Sequence, residues 1–255
     1  MKKMNGTSPW LIKNGRSSET KLRLFCFPYA GGGASVFRTW SAGLPESVDV
    51  CAVQLPGREN RIKEPLISAV DELTPMLCDA LIPYCDLPFI FFGHSTGALV
   101  AFELSRELRR RNASLPQHLI VSGGRAPHIP EPNPLHHLPE EEFVRQLQRF
   151  GGTPEAVLQN KEIMQMYVPI LRADFALEET YDHETEPPLE IPISLFGGTK
   201  DKEAPPEFIK PWADHTSCNF TLEMIEGGHF FLNSARPALL ESVSRILTKH
   251  LPSHT

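Results

Sequence analysis

The stretch FIFFGHSTGALVAF, residues 89–102, limits what this chain can fold into more than any other. An apolar run rich in aromatic residues, the pattern of a buried strand, stops at Gly93, and small and apolar residues with helical spacing begin at Gly97. Between them stands one serine, Ser95, in the pattern G-x-S-x-G. Five-residue patterns arise by chance, but a strand before and a helix after are the context of a nucleophile elbow. Such a turn pushes the serine side chain above the sheet in a strained backbone conformation, and glycine at 93 and 97 removes the side chains that would collide beside it. It also aims the free N–H groups at the start of the next helix toward the reacting carbon. A helix N-cap serine after a glycine turn is the plainer alternative.

The rest of the chain keeps a matching rhythm. Apolar runs at Leu22–Phe27, Val48–Val53, Pro88–Phe92, His118–Ser122, Ile191–Phe196 and Phe220–Ile225 read as strands, and Ser68–Pro83, Gly97–Arg111 and Pro237–His250 as helices. Strands separated by helices imply an α/β fold, with crossover units feeding a mostly parallel sheet that has helices on both faces. After Ser95, residues Ala98, Ala101, Phe102, Ser105 and Leu108 share one helix face, so small side chains allow close approach to the sheet. The rhythm breaks between about Arg125 and Pro188. That segment opens on APHIPEPNP, carries helical patterns at Glu140–Phe150, Pro154–Leu158 and Glu162–Ala176, and closes on EPPLEIP. Structureless detours of such length are rare, so residues 125–188 are expected to form a helical lid, with an ordinary pair of crossover helices as the alternative. At 255 residues, 41% of them hydrophobic, the simplest partition is one domain over 1–255 bearing this insertion.

A serine hydroxyl is inert at neutral pH without a base, and the base needs an orienting acid. With a nucleophile elbow, the chain order is serine, acid, histidine. ISLFGGTKD places Asp201 just past a strand in a glycine turn, and LEMIEGGHFFL does the same for His229, so both should emerge at the sheet edge that holds Ser95. Asp182 and Asp214 compete for the acid but follow no strand so directly. His94 adjoins the serine, yet neighbours at an elbow point away, so it should pack or hydrogen-bond behind it. An oxyanion hole needs two N–H donors. Thr96, the residue after the nucleophile, supplies one, and the loop FPYAGGGAS supplies the other, with Ala30 as the chosen amide. A phosphate site at Gly31-Gly32-Gly33 is disfavoured, because the spacing fits neither G-x-G-x-x-G nor the P-loop pattern. His136, His137 and His183 lack metal-ligand spacing, so no metal is expected.

Charge and cysteines narrow the setting. A net charge of −6 argues against non-specific binding to nucleic acid or anionic lipid. No run approaches the roughly 18 to 20 apolar residues that spanning a bilayer requires. Cys26, Cys51, Cys78, Cys85 and Cys218 are odd in number, sit mostly in apolar runs and show no C-x-x-C spacing, which points to buried free thiols in a reducing cytoplasm. A soluble cytoplasmic monomer is expected.

Six stretches in one order, LFCFPYAGGGASVFRTW, VQLPGRENRI, FFGHSTGALVAFEL, LRADFALEETY, GGTKD and EGGHFFL, resemble the type II thioesterases that accompany polyketide and nonribosomal peptide synthetases, and the related medium-chain acyl carrier protein hydrolases. The likeness runs from about Leu22 to Leu232. It implies an α/β-hydrolase fold with a mobile helical lid. It also implies cleavage of acyl groups from the phosphopantetheine thiol of an acyl or peptidyl carrier protein, clearing aberrant or stalled groups or releasing medium-chain acids. The pantetheine arm arrives with the substrate, so no cofactor is implied. Carried over by position, Ser95 is the nucleophile, His229 the base, Asp201 its orienter, and Ala30 with Thr96 the oxyanion donors. Thr96 stands where the family usually has methionine, which leaves the N–H contribution intact and alters the shape or polarity of the acyl pocket.

A carboxylesterase or lipase would use the same triad on oxygen esters, an acyltransferase would exclude water, and a non-catalytic binding protein would have a damaged triad. Two basic clusters are candidates for docking an acidic carrier: Arg58, Arg61 and Lys63, and the run of Arg106, Arg109, Arg110 and Arg111. The second also reads as a solvated helix end, where cations meet the C-terminal dipole.

Overall fold

Strands that are apolar on every residue are stable only when both faces are covered. In the computed structural model, which describes residues 8–13, 19–148, 152 and 155–252, seven strands form one sheet, and the five inner ones are buried at every residue. They are β1 (Leu11–Lys13), β2 (Leu22–Phe27), β3 (Val48–Val53), β4 (Phe89–His94), β5 (Leu119–Ser122), β6 (Ile193–Gly198) and β7 (Phe220–Ile225). Their order is β1-β3-β2-β4-β5-β6-β7, and only β1 runs antiparallel to its neighbour. Successive side chains alternate between two cores. Phe25, Phe27, Phe89, Phe91 and Val121 enter one apolar cluster, and Leu24, Cys26, Ile90, Phe92 and Ile120 enter the other.

Helices α1 (Val70–Leu81) and α2 (Thr96–Arg110) cover the first face. In the inserted segment lie α3 (Glu140–Leu147), α4 (Glu155–Leu158) and α5 (Lys161–Glu179). After β6 come α6 (Pro206–Ile209), then α7 (Phe231–Ser234) and α8 (Arg236–His250), the last contributing Leu239, Val243 and Leu247 to the second core. The chain leaves β2 for β3 on one side and returns to β4 on the other, so the loops after β2 and β4 diverge. Such a switch point opens a crevice at the carboxyl ends of the strands. Ser95 follows β4 at that crevice.

Three departures from the sequence expectation have physical reasons. Strand β1 was not expected, because three residues of pattern Leu-Ile-Lys give too short a run to read. Strand β6 starts two residues late, after Pro192, and continues through Gly197 and Gly198, which pair with Met224 and Ile225. Those glycines read as a turn, yet a Cβ on Gly198 would lie 2.8 Å from the carbonyl oxygens of Gly227 and Gly228. The helix expected over Ser68–Pro83 is α1 followed by a 3-10 turn at Ile82–Tyr84, where Pro83 lacks the N–H to continue.

Between Arg125 and Pro188 the helices share an apolar cluster of their own, built from Leu135, Phe143, Leu147, Met164, Val168 and Leu171. The expected helix ends at Phe150 and Pro154 lie outside the described residues. Asn160 caps α5, its side chain accepting from the N–H groups of Glu162 and Ile163 at 3.1 Å, and α5 packs on α2. Among the described residues no helix is long and apolar enough to cross a membrane. All five cysteines are free, but only Cys26, Cys51 and Cys78 are buried; Cys85 is half-buried and Cys218 exposed, which corrects the expectation for those two.

Candidate active site

Ser95 occupies φ 53°, ψ −125°, a region that side chains rarely tolerate. The surrounding backbone holds it there: its N–H donates to the Ser122 carbonyl at 2.8 Å, and its own carbonyl accepts from Ala98 N–H at 2.8 Å. The flanking glycines are sterically required. A Cβ at Gly93 would sit 2.2 Å from the Gly97 carbonyl oxygen, and one at Gly97 would sit 2.2 Å from that of Phe27. Strand and helix therefore cross almost in contact at the serine.

The turns after β6 and β7 deliver the other two side chains. His229 Nδ1 lies 2.9 Å from Asp201 Oδ2, and His229 Nε2 lies 3.0 Å from Ser95 Oγ. With Nδ1–H donating to the carboxylate, Nε2 is left to accept the serine proton. The second oxygen of Asp201 accepts from Glu203 N–H at 2.9 Å and Ala204 N–H at 3.1 Å. Burial opposes ionisation of this carboxyl, but the hydrogen bond and charge of His229, with those two amides, outweigh it and hold Asp201 below the usual carboxylate range. Asp182 and Asp214, the competing acids, are both exposed.

Behind the serine, His94 is fully buried, with Nδ1 2.9 Å from Ser122 Oγ and its ring 5.4 Å from that of His229. Burial, then the neighbouring His229, push its pKa down to about 3, so it packs as a neutral ring. Ala30 and Thr96 both line the cleft at Ser95, and among the described residues no hydrogen bond engages either backbone N–H. Two unpaired donors beside a nucleophile can stabilise negative charge developing on a carbonyl oxygen.

The cleft has a mixed lining. Leu147, Tyr167, Leu171, Phe175 and Phe230 are its apolar residues, and Arg125, Glu131, Glu178, Glu179 and Glu203 its charged ones. Thr96 joins the charged residues, its hydroxyl donating to Glu178 Oε2 at 2.7 Å. Arg125 Nη2 donates to Glu178 Oε1 at 3.0 Å and pairs with Glu131. The polarity expected of Thr96 thus extends into a network anchored on α5.

Neither basic cluster is a free cationic surface. Arg58 and Arg61 are 4% and 5% exposed, Arg58 gripping Asp174 and Arg61 pairing with Glu64, so of that group only Lys63 and its neighbours face solvent. Arg106 is buried against Glu103 and Glu186, and Arg109, Arg110 and Arg111 pair with Glu186, Glu107 and Asp79. Arg106 is thus no part of a solvated helix end, and the other three arginines spend their charge on carboxylates within the molecule. His136 Nδ1 bonds Glu179 at 2.7 Å, and among the described residues no cluster of side chains could hold a metal ion. Asp174 and Glu178 lie inside LRADFALEETY but were given no role from the sequence; an acidic residue interrupting the apolar stripe Met164, Val168, Leu171 was the available signal.

A family model described as thioesterase domain matches residues 22–247. The chain is 42% identical, over 96% of its length and 94% of the relative's, to a protein of Brevibacillus parabrevis named linear gramicidin dehydrogenase LgrE. RedJ, a thioesterase from the prodiginine biosynthetic pathway in Streptomyces coelicolor, superposes with a TM-score of 0.83 at 38% identity, covering 89% of this chain and 85% of that one. The type II thioesterase BorB from the borrelidin biosynthetic cluster superposes with a TM-score of 0.83 at 33% identity, covering 94% and 97%.

Proposed function

Because the chain belongs to the thioesterase domain family, we propose that it hydrolyses acyl groups from the phosphopantetheine thiol of a carrier protein, with Ser95, His229 and Asp201 as its catalytic residues. The observation that carries this reading is the unbroken relay from Asp201 Oδ2 through His229 to Ser95 Oγ, with links of 2.9 and 3.0 Å. Ser95 Oγ attacks the thioester carbonyl carbon while its proton passes to His229 Nε2, and Asp201 stabilises the imidazolium that results. The N–H groups of Ala30 and Thr96 receive the oxyanion. As the C–S bond breaks, the imidazolium gives its proton to the departing sulfur, help that a thiol of pKa about 8.5 needs less than an alcohol or amine would, and His229 is again neutral. Water then attacks the acyl-enzyme as His229 Nε2 takes its proton, and that proton passes to Ser95 Oγ as the acyl C–O bond breaks and the acid leaves. In this reading the 125–188 segment is a lid, and the apolar residues of the cleft take the acyl chain.

The carrier partner is supported by the kind of pathway that RedJ and BorB come from, and a cytoplasmic setting by the free cysteines. Hydride transfer, suggested by the name of the Brevibacillus relative, is not proposed. Gly31-Gly32-Gly33 lacks the dinucleotide spacing, and the Gly31 N–H already donates to the Asp174 carboxylate at 2.6 Å, a charge that would repel a pyrophosphate. The test is intact-mass analysis of acylated carrier proteins incubated with wild type and Ser95→Ala. Loss of the acyl mass with wild type alone supports the reading, and loss with both, or with neither across a broad panel, contradicts it.

A further inference from the structure

Residues Tyr29 to Gly32 form a tight turn, closed by Gly32 N–H donating to the Tyr29 carbonyl at 2.8 Å, with Gly31 at φ +77°. That φ is the mark of a type II turn, which differs from type I by a flip of its central peptide. Glycine at the third position tolerates both forms, so the turn alone does not choose. Side chains from outside the loop make the choice. Gly31 N–H donates to Asp174 Oδ2 at 2.6 Å, and the Gly31 carbonyl accepts from Tyr167 OH at 2.7 Å. Arg58 grips Asp174 with both terminal guanidinium nitrogens, at 2.5 and 2.8 Å, and reaches the Gly32 carbonyl at 3.3 Å. Arg58 is 4% exposed and Asp174 2%.

We propose that Asp174, held by Arg58, is a positioning residue for the oxyanion loop. A flipped central peptide would turn the Ala30 carbonyl, rather than the Gly31 N–H, toward a buried carboxylate, and like partial charges reject that state. Arg58 supplies the counter-charge that burial of Asp174 demands and fixes where its oxygens stand. The Ala30 N–H belongs to the 29–30 peptide, whose Tyr29 carbonyl accepts from Gly32 N–H, and Asp174 holds the next peptide through Gly31 N–H, so Ala30 lies between two fixed peptides and the direction of its N–H is set. Tyr167, Leu171, Asp174 and Glu178 recur on one face of α5, where Leu171 would collide with any Cβ at Gly31 and Glu178 holds Thr96. One helix face therefore braces both residues proposed as oxyanion donors. The inference rests on the proposed acyl-transfer role of Ser95 and Ala30.

The test compares wild type with the double variant Arg58→Met plus Asp174→Leu. Replacing a buried ion pair with apolar residues of similar size is commonly tolerated by the fold, whereas the Gly31 N–H loses its acceptor. Hydrolysis of an acyl N-acetylcysteamine thioester is followed for kcat and KM. In parallel, affinity is measured for a trifluoromethyl ketone, whose adduct with Ser95 carries an oxyanion, and for the matching amide, which carries none. The expected outcome is a roughly 10- to 100-fold fall in kcat, KM changed by less than about threefold, the same fall in affinity for the ketone, and unchanged affinity for the amide. A folded double variant with kcat and ketone affinity within about twofold of wild type overturns the proposal. If the double variant fails to fold, Asp174→Asn, which keeps size but offers Gly31 one acceptor in only one orientation, is read by the same criteria. Ser95→Ala run alongside separates the two ideas. Wild-type rates in that variant overturn the acyl-transfer reading, whereas an inert Ser95→Ala beside an unimpaired double variant overturns the brace alone.

Discussion

The rim of the sheet and helix α5 meet at the same serine by different routes. On the rim, each side chain of the proposed triad sits within a few residues of the strand that delivers it: Ser95 after β4, Asp201 after β6, His229 after β7. Helix α5 reaches the site across the chain, its Asp174 bonding a glycine 143 residues away and its Glu178 bonding a threonine 82 residues away. The rim carries the proposed proton relay, while α5 carries side chains that touch the turn of Ala30 and the hydroxyl of Thr96, the proposed donor residues, without entering that relay. Chemistry is local to strand ends, and the orientation of the groups that assist it is not. That division predicts a steep gradient of mutational effect from rim to helix.

The largest effects belong to the rim. Ser95→Ala and His229→Ala should each lower kcat/KM for an acyl thioester by about 10⁴-fold, and Asp201→Asn by nearly as much, with melting temperatures little changed. A loss below about tenfold in any of them would break the comparison at its strong end. Next comes the elbow itself. Gly97→Ala pushes a Cβ to 2.2 Å from the Phe27 carbonyl oxygen and 2.6 Å from that of Pro28, so it should cost about 3 to 5 kcal/mol of stability in chemical denaturation. Gly228→Ala is the control, because its Cβ would meet nothing nearer than 4.0 Å, and its cost should stay below about 1 kcal/mol.

On the helix side the changes should be gentler. Thr96→Val keeps the backbone N–H and the side-chain shape but removes the hydroxyl that donates to Glu178. A three- to tenfold loss of kcat, roughly 1 kcal/mol, is expected. A loss as large as that of Ser95→Ala would erase the distinction between rim and helix.

The smallest effect is on stability against pH, and it samples both regions. His94 behind the rim has its pKa pushed down to about 3 by burial and then by His229, and His215, beside His128 and His183 of the inserted segment, is pushed down to about 4 by burial and then by those two rings. Both fall below the unfolded value of about 6.5, so the unfolded chain binds more protons as the solution is acidified. Stability should be flat above about pH 6.5 and decline below it toward pH 4. Asp201, held below its ordinary range, adds stability that is lost only at lower pH still. Melting temperature against pH checks this, and His215→Gln should flatten the slope.

How much of this was legible in the sequence follows the same divide. Strands β2 to β5 and β7 stand in unbroken apolar or alternating runs, so their places could be read, and Ser95 and His229 each follow such a run in a glycine turn, while Asp201 was legible from the apolar start of β6. Gly197 and Gly198 were unreadable as strand, because glycine signals a turn and their role is to let the 227–228 loop approach. Arg58 looked like a surface cation, since composition cannot tell a charge that meets its partner 116 residues away from one that meets water. Asp174 and Glu178 were silent for the same reason. Periodicity showed that α5 has an apolar face but not what that face would meet.

The central claim, that Ser95 carries the acyl group between carrier and water, is open to one direct measurement: rapid quenching of enzyme mixed with acyl carrier protein, followed by mass mapping of its peptides. The account predicts a transient acyl adduct on the peptide containing Ser95, absent in Ser95→Ala, which also leaves the carrier acylated. Deacylation of the carrier at an equal rate by wild type and Ser95→Ala, with no adduct on that peptide, would contradict it.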